Sequence, residues 1–267
     1  MDTVLVTGSS SGIGRMTAEV FARKGWCVYA TARNPDDVSD LAEMGMKTPP
    51  LDVTDGGQIR DVVEAIAEEG TVDAVVNNAG YGQMGAIEEV PADRVERQFE
   101  VNVYGPHRVA RAALPYMREQ GDGTVVNVSS VAGRVSLPGM GVYAGSKHAL
   151  EAMTDALRAE VDGFGIDVSL IEPGPVETSF LDRADDELEG TEDTGAYEDL
   201  YDTFEEYSEE MAGRFGVGPE KVARTIYEAA TAENPKPRYT VTVPFRVMRL
   251  GGRLPSRLRD GFFGIVR

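Results

Sequence analysis

Five short apolar, β-rich runs recur along the chain with amphipathic stretches between them: Thr3–Thr7, Cys27–Ala32, Ala74–Asn77, Thr124–Ser129 and Asp167–Glu172. This alternation restricts the fold more than any other feature. Nearly continuous hydrophobic strands are buried on both faces, and the stretches between them are long enough for helical crossovers, so the pattern predicts βαβ units that build a parallel sheet. The expected fold class is α/β, a doubly wound parallel sheet with helices on both faces. With 267 residues and 42% hydrophobic content, a single domain over 1–267 has ample core, and no repeat of 20–50 residues is visible.

Two segments depart from the rhythm. Residues 177–212 hold fifteen Asp/Glu against the lone Arg183, yet Tyr197, Leu200, Tyr201, Phe204, Tyr207 and Met211 recur at helical spacing. Such a stripe can be a helix packing on its own domain. An insertion after a late strand also lies near the carboxyl ends of the strands, where ligands bind, so 177–215 is expected to be an acidic substrate lid. The second segment, 236–267, is a basic C-terminal extension with eight Lys/Arg and one Asp. Its interleaved Arg246, Arg249, Arg253 and Arg257 with Val247, Met248, Leu250, Leu254 and Leu258 suit docking on an acidic protein face better than membrane association.

Composition excludes several classes. A formal net charge of −19 argues against nucleic acid as a partner, since phosphate binding needs a basic face. Cys27 is the only cysteine, and with only His107 and His148 beside it no zinc set forms; no metal is expected. The chain shows neither a long apolar run nor a cleavable leader before Val4-Leu5-Val6, which reads as cytoplasmic. Only five of the 26 basic residues are Lys, and this acidic, Arg-rich composition suggests halophilic adaptation, with self-repulsion screened by salt.

The first strand runs into Thr7-Gly8-Ser9-Ser10-Ser11-Gly12-Ile13-Gly14, followed by a helical stretch, Arg15–Lys24. Glycines in a strand–turn–helix permit a tight turn and let backbone N–H groups meet a pyrophosphate at the positive end of a helix, which assigns Gly8, Ser10, Ser11, Gly12, Ile13 and Gly14 to a Rossmann-like dinucleotide cradle. Strand two ends Ala30-Thr31-Ala32-Arg33-Asn34, without the acid that an NAD site presents to the ribose. Arg33 can pair with a 2′-phosphate, so NADP(H) is preferred and NAD(H) possible; the alternative for Arg33 is a solvated loop charge.

TGSSSGIG (7–14), LDVTD (51–55), NNAG (77–80), Asn102 in FEVNVYGP, VVNVSSVAG (125–133), YAGSK (143–147) and PGPVET (173–178) together resemble the short-chain dehydrogenase/reductase family, in order and interval, over about residues 3–178. YATARN resembles the NADP-preferring branch that handles steroids, retinoids and other carbonyl compounds. The resemblance implies a catalytic set of Asn102, Ser130, Tyr143 and Lys147. Chemistry agrees: carbonyl reduction needs a proton donor at the oxygen, and an ammonium one helical turn from a phenol favours the phenolate and lowers its pKa. Ser130, thirteen residues before Tyr143, is placed to hydrogen-bond the substrate oxygen; family spacing selects it over Ser129. Asn102 is implied to hold a water that relays protons to Lys147, the alternative being a helix residue satisfying its own backbone.

By the same resemblance Asp52 and Val53 meet the adenine, Asn77, Ala79 and Gly80 line the path to the nicotinamide, and Pro173, Gly174, Val176 and Thr178 take its carboxamide side. Tyr143 and Lys147 also contact the cofactor. Asn77 and Asn78 have a structural alternative as strand braces. Tyr81, Met84, Leu137, Met140, Val142 and the lid aromatics suggest an apolar carbonyl or alcohol substrate, or else belong to the core. The family further implies a homodimer or homotetramer through the helices carrying Asn102 and Tyr143. A nonenzymatic NADP(H)-binding regulator and an enoyl-type reductase are the competing functions.

Overall fold

The structure, a computed structural model, describes residues 1–178, 180, 191 and 194–242. Six strands form one parallel sheet: β1 (Thr3–Thr7), β2 (Cys27–Thr31), β3 (Ala74–Asn77), β4 (Gly123–Val128), β5 (Ile166–Glu172) and β6 (Arg238–Thr240). They lie side by side in the order β2-β1-β3-β4-β5-β6. All five expected strands match the observed ones to within one residue at either end; β6 went unanticipated because three residues carry too little pattern to register. The segment leading into LDVTD meets the β2 edge through isolated parallel bridges, Tyr29 to Lys47 and Ala32 to Pro50.

The helices among the described residues are α1 (Gly12–Arg23), α2 (Ser39–Glu43), α3 (Gly56–Glu69), α4 (Ala92–Phe99), α5 (Gly105–Gln120), α6 (Gly141–Val161), α7 (Glu198–Phe215) and α8 (Pro219–Thr231). Local chemistry marks their ends. Asp55 caps α3 by accepting from the Gly57 and Gln58 N–H groups at 2.7 and 3.2 Å, and α5 stops at Gly121, whose φ of +72° is a left-handed turn that favours glycine. Between α4 and α5 the backbone widens into a π-helical turn, Glu100–Tyr104.

Side chains alternate across the sheet, as the strand period requires. Val4 and Val6 join a core with Phe21 of α1 and Val222 and Ile226 of α8, while Leu5 joins the opposite core with Ile59 and Val63 of α3 and Val109 and Ala113 of α5. Both faces are therefore covered. β1 has β2 on one side and β3 on the other, so the chain reverses its winding direction there, which opens a crevice above the carboxyl ends of these strands.

Candidate active site

A cavity of about 890 Å³ lies over that crevice and runs from Gly8 to helix α7. At one end the wall is mostly backbone. Gly8 turns with φ +71°, and a Cβ there would stand 2.8 Å from the Ala79 Cα; Gly12, with φ +56°, opens α1. The first turn of α1 contains no acid, so its positive end faces the cavity uncompensated. Ser10, Ser11 and Ile13 complete this cradle. Gly14 does not line it: a Cβ at Gly14 would fall 2.2 Å from the Gly8 oxygen and 2.3 Å from the Asn78 Nδ2, so this glycine lets the helix seat against the loop. Arg33, exposed beyond the end of β2, lines the cavity and makes no ion pair among the described residues. Asp52, Val53, Ala79, Gly80, Pro173, Gly174, Val176 and Thr178 line the remaining length as expected. A narrow glycine cradle, an unneutralised helix end and an unpaired guanidinium fit a dinucleotide with a 2′-phosphate.

Asn77 is a correction. It is buried and does not line the cavity; its Nδ2 donates to Asn127 Oδ1 at 2.8 Å, bracing β3 against β4. Strand alternation explains the exchange of roles, because the next residue, Asn78, lines the cavity while its Nδ2 holds the Thr7 and Gly8 carbonyls at 3.0 and 3.1 Å.

Near the middle, α6 brings Tyr143 and Lys147 to one wall, with the Lys147 Nζ 5.9 Å from the centre of the Tyr143 ring. Both are buried. The Lys147 ammonium donates to the Val128 carbonyl at 3.0 Å, at the end of β4. Ser130 follows that strand; its hydroxyl accepts from the Ala132 N–H at 3.1 Å, and it lines the same cavity as Tyr143. Ser129 takes another direction, donating to Glu151 Oε1 at 2.9 Å, which supports the choice between the two serines.

Burial pushes the Tyr143 phenol up to about 12, with the Ser130 hydrogen bond opposing. It also pulls the Lys147 ammonium down to about 8, opposed by the charge of Glu151. The expected lowering of the phenol by Lys147 is thus not met. Desolvation penalises the phenolate, and the resting pair near neutrality is a neutral phenol beside a cation.

Asn102 sits in the π-helical turn, fully buried. Its Oδ1 accepts from the Tyr81 N–H at 3.2 Å, and its Nδ2 donates to the Tyr81 carbonyl at 2.9 Å and to Ser146 Oγ at 3.2 Å. The side chain thereby clamps the Tyr81 loop to α6. Gly80 permits the close approach, since a Cβ there would lie 3.0 Å from the Asn102 Oδ1.

At the far end the wall is built from side chains. Met84, Ala132, Tyr143 and Ala144 form a cluster with Met140, Phe180 and Phe204, in which the Tyr143 and Phe180 ring centres are 5.6 Å apart. Tyr81, Met84, Leu137, Met140, Phe204 and Met211 line the cavity, whereas Val142 is buried outside it. Helix α7 is held over this end by Tyr197, which donates to Glu88 at 2.6 Å, and by Tyr201, which donates to Glu89 at 2.5 Å and accepts from the Ala86 N–H at 3.1 Å. The side chain of Tyr207, most of 179–193 and all of 243–267, with its basic stripe, lie outside the described residues. Phe180, two residues after PGPVET and within the expected lid, was not singled out by number in the sequence.

A dinucleotide cradle that shares its cavity with Ser130, Tyr143 and the buried Lys147 ammonium defines an oxidoreductase that acts on a CH–OH group with a nicotinamide cofactor. Residues 2–189 match the model of the short chain dehydrogenase family, and the chain belongs to that family. It is similar to the uncharacterized oxidoreductase YbbO of Escherichia coli strain K12, at 40% identity over 263 residues, covering 97% of this chain and 92% of the relative. It is 33% identical to the NADPH-dependent 3-dehydrocapnine reductase of Ornithobacterium rhinotracheale, covering 98% and 96%. Among solved structures, a short-chain dehydrogenase from Streptomyces avermitilis superposes with a TM-score of 0.83 at 35% identity, covering 99% of this chain and 96% of that one.

Proposed function

We propose that the protein reduces a ketone or aldehyde group on an apolar substrate with NADPH, and in reverse oxidises the alcohol, with Tyr143 as the general acid and base. The observation that carries this reading is the buried Tyr143 phenol, with Ser130 and Lys147 in the same wall, placed where the glycine-lined and the apolar ends of one cavity meet. When bound, the nicotinamide supplies the hydride. Ser130 orients the carbonyl oxygen, and Tyr143 gives that oxygen its proton as negative charge develops there. Lys147, charged at neutral pH, stabilises the phenolate left behind. Burial of the wall around Tyr143 excludes water from the exchange.

Gly8, Ser10, Ser11, Gly12 and Ile13 hold the pyrophosphate, Arg33 the 2′-phosphate, Asp52 and Val53 the adenine, and Pro173, Gly174, Val176 and Thr178 the nicotinamide side. NADP(H) is favoured over NAD(H) by the unpaired Arg33, and the NADPH dependence in the name of the Ornithobacterium relative points the same way. Segment 177–215 acts as the substrate lid through Phe204 and Met211. The protein is read as cytoplasmic and salt-adapted, with a melting temperature that rises from low to molar KCl. Self-association runs through α5, α6 and their flanking turns, where Tyr104, Met153 and Phe164 are exposed.

The test is a screen of the native chain with NADPH and NADH against saturated ketones, aldehydes and enoyl compounds, in low and high salt. Turnover of a ketone or aldehyde faster with NADPH is the expected result. NADPH binding without any turnover, or turnover of enoyl compounds alone, overturns the reading.

A further inference from the structure

On the sheet side of α6 lies a buried ionic cluster that this proton transfer does not use. Glu151, one turn beyond Lys147, is 3% exposed. Its Oε1 accepts from Ser129, and its Oε2 lies 2.8 Å from both Arg134 Nε and Arg238 Nη1. The same two guanidinium groups reach Glu172 Oε1 at 3.1 and 2.9 Å; Arg238 extends to Asp155, and Thr240 donates to Glu172 Oε2 at 2.8 Å. Gly133 leaves room for the carboxylate, for a Cβ there would stand 2.5 Å from Glu151 Oε1 and 2.8 Å from Ser129 Oγ.

Three of the segments beside the reaction centre contribute to this cluster. Ser129 precedes Ser130, Gly133 and Arg134 end the turn after it, and Glu172 is the last residue of β5 before Pro173 and Gly174. Facing Glu151 are Arg134 from that turn, Glu172 from β5, Arg238 from β6, and Lys147 and Asp155 from its own helix. Burial, together with Glu172, pushes the Glu151 carboxyl up to about 7, opposed by Arg134, Arg238 and Ser129. A buried ionic lattice contributes little stability over a well-packed apolar one, so stability alone is a weak account of this one.

The geometry points to Glu151 as a positioning residue of the reaction: its carboxylate fastens the Ser129–Ser130 turn to α6 and supplies the buried negative charge that faces the Lys147 ammonium. This rests on the proposed function only in taking Lys147 and Ser130 as working groups, and it has a test that needs no turnover. The chain contains five lysines, so the ε-carbon resonances of a ¹³C-lysine-labelled sample can be assigned by single substitutions. In the native chain the Lys147 resonance is expected to titrate near 8. A smaller step near 7 should accompany it as Glu151 titrates. In Glu151→Gln the main midpoint falls by roughly one pH unit and the smaller step vanishes. An unchanged midpoint overturns the inference; if the variant does not fold, absence of the smaller step in the native chain does so.

The kinetic arm separates positioning from mere packing. Glu151→Gln lowers kcat roughly tenfold with KM and NADPH affinity within about twofold, and the alkaline limb of the reduction profile moves down with Lys147. Glu151→Asp restores part of both. A fall in kcat with the limb in its native place and no rescue by Asp contradicts the inference. A native chain that reduces no carbonyl removes the proposed function and leaves the resonance titration to decide this inference alone.

Discussion

The two ends of the cavity are made differently. The cofactor end is backbone: Gly8 and Gly12 adopt positive φ, and the helix α1 aims its N–H groups at a ligand. Such a wall recognises what all dinucleotides share, and Gly8 in it is held by its close approach to Ala79. The substrate end is side chain: Met84, Met140 and Phe180 come from separate segments, Phe204 and Met211 from α7, and that helix is attached over it by the tyrosine hydroxyls of Tyr197 and Tyr201. Side-chain walls can be repacked at small cost, because apolar exchanges of similar volume are tolerated. One end thus keeps the cofactor while the other is free to change the substrate.

Substitutions at each end should separate along this line. The largest expected effect among them lies at the junction: Ser130→Ala lowers kcat for carbonyl reduction by about 10²–10³-fold with NADPH affinity nearly unchanged, and equal losses in both would break the division. At the cofactor end, Arg33→Ala weakens NADPH by roughly 10–100-fold in a fluorescence titration and leaves NADH within twofold. Tighter NADH than NADPH in the native chain would contradict the account of Arg33. Next is pH. Lys147 must be protonated to stabilise the departing phenolate and loses its proton near 8, whereas the phenol keeps its own to about 12. Reduction should therefore be level from pH 6 to 7 and fall about tenfold per unit above 8, while oxidation, which needs the phenolate, rises with pH. The smallest effect belongs to the lid, where Tyr201→Phe removes its hydrogen bonds to Glu89 and the Ala86 N–H. It should raise KM a few-fold at constant kcat and NADPH affinity, each lost hydrogen bond contributing about 1 kcal/mol.

The same division sets what was legible in the sequence. The cradle, the strand alternation and the Tyr143–Lys147 pair are local patterns, written in glycine positions and helical spacing, and the structure places them together. Asn77 misled because adjacent residues of a strand end face opposite ways, and a motif alone does not say which of Asn77 and Asn78 meets the cavity. The direction of the Tyr143 shift was misjudged because burial of the phenol is a tertiary property that the spacing to Lys147 does not encode. Phe180 and the clamp of Asn102 on Tyr81 depend on contacts between distant segments. Glu151 stood one turn beyond Lys147 in plain view, but its partners Arg134, Glu172 and Arg238 converge only in the folded chain.

The central claim is that a buried neutral phenol hands its proton to a carbonyl oxygen inside a cavity that binds its cofactor independently of that phenol. Stopped-flow single turnovers on native protein and Tyr143→Phe, following NADPH oxidation by an accepted ketone after a separate titration of NADPH binding, test it most directly. The account predicts a rate lower by about 10²–10⁴-fold with NADPH affinity within twofold. A Phe variant that turns over at the native rate, or one that loses the nucleotide along with the chemistry, would contradict it.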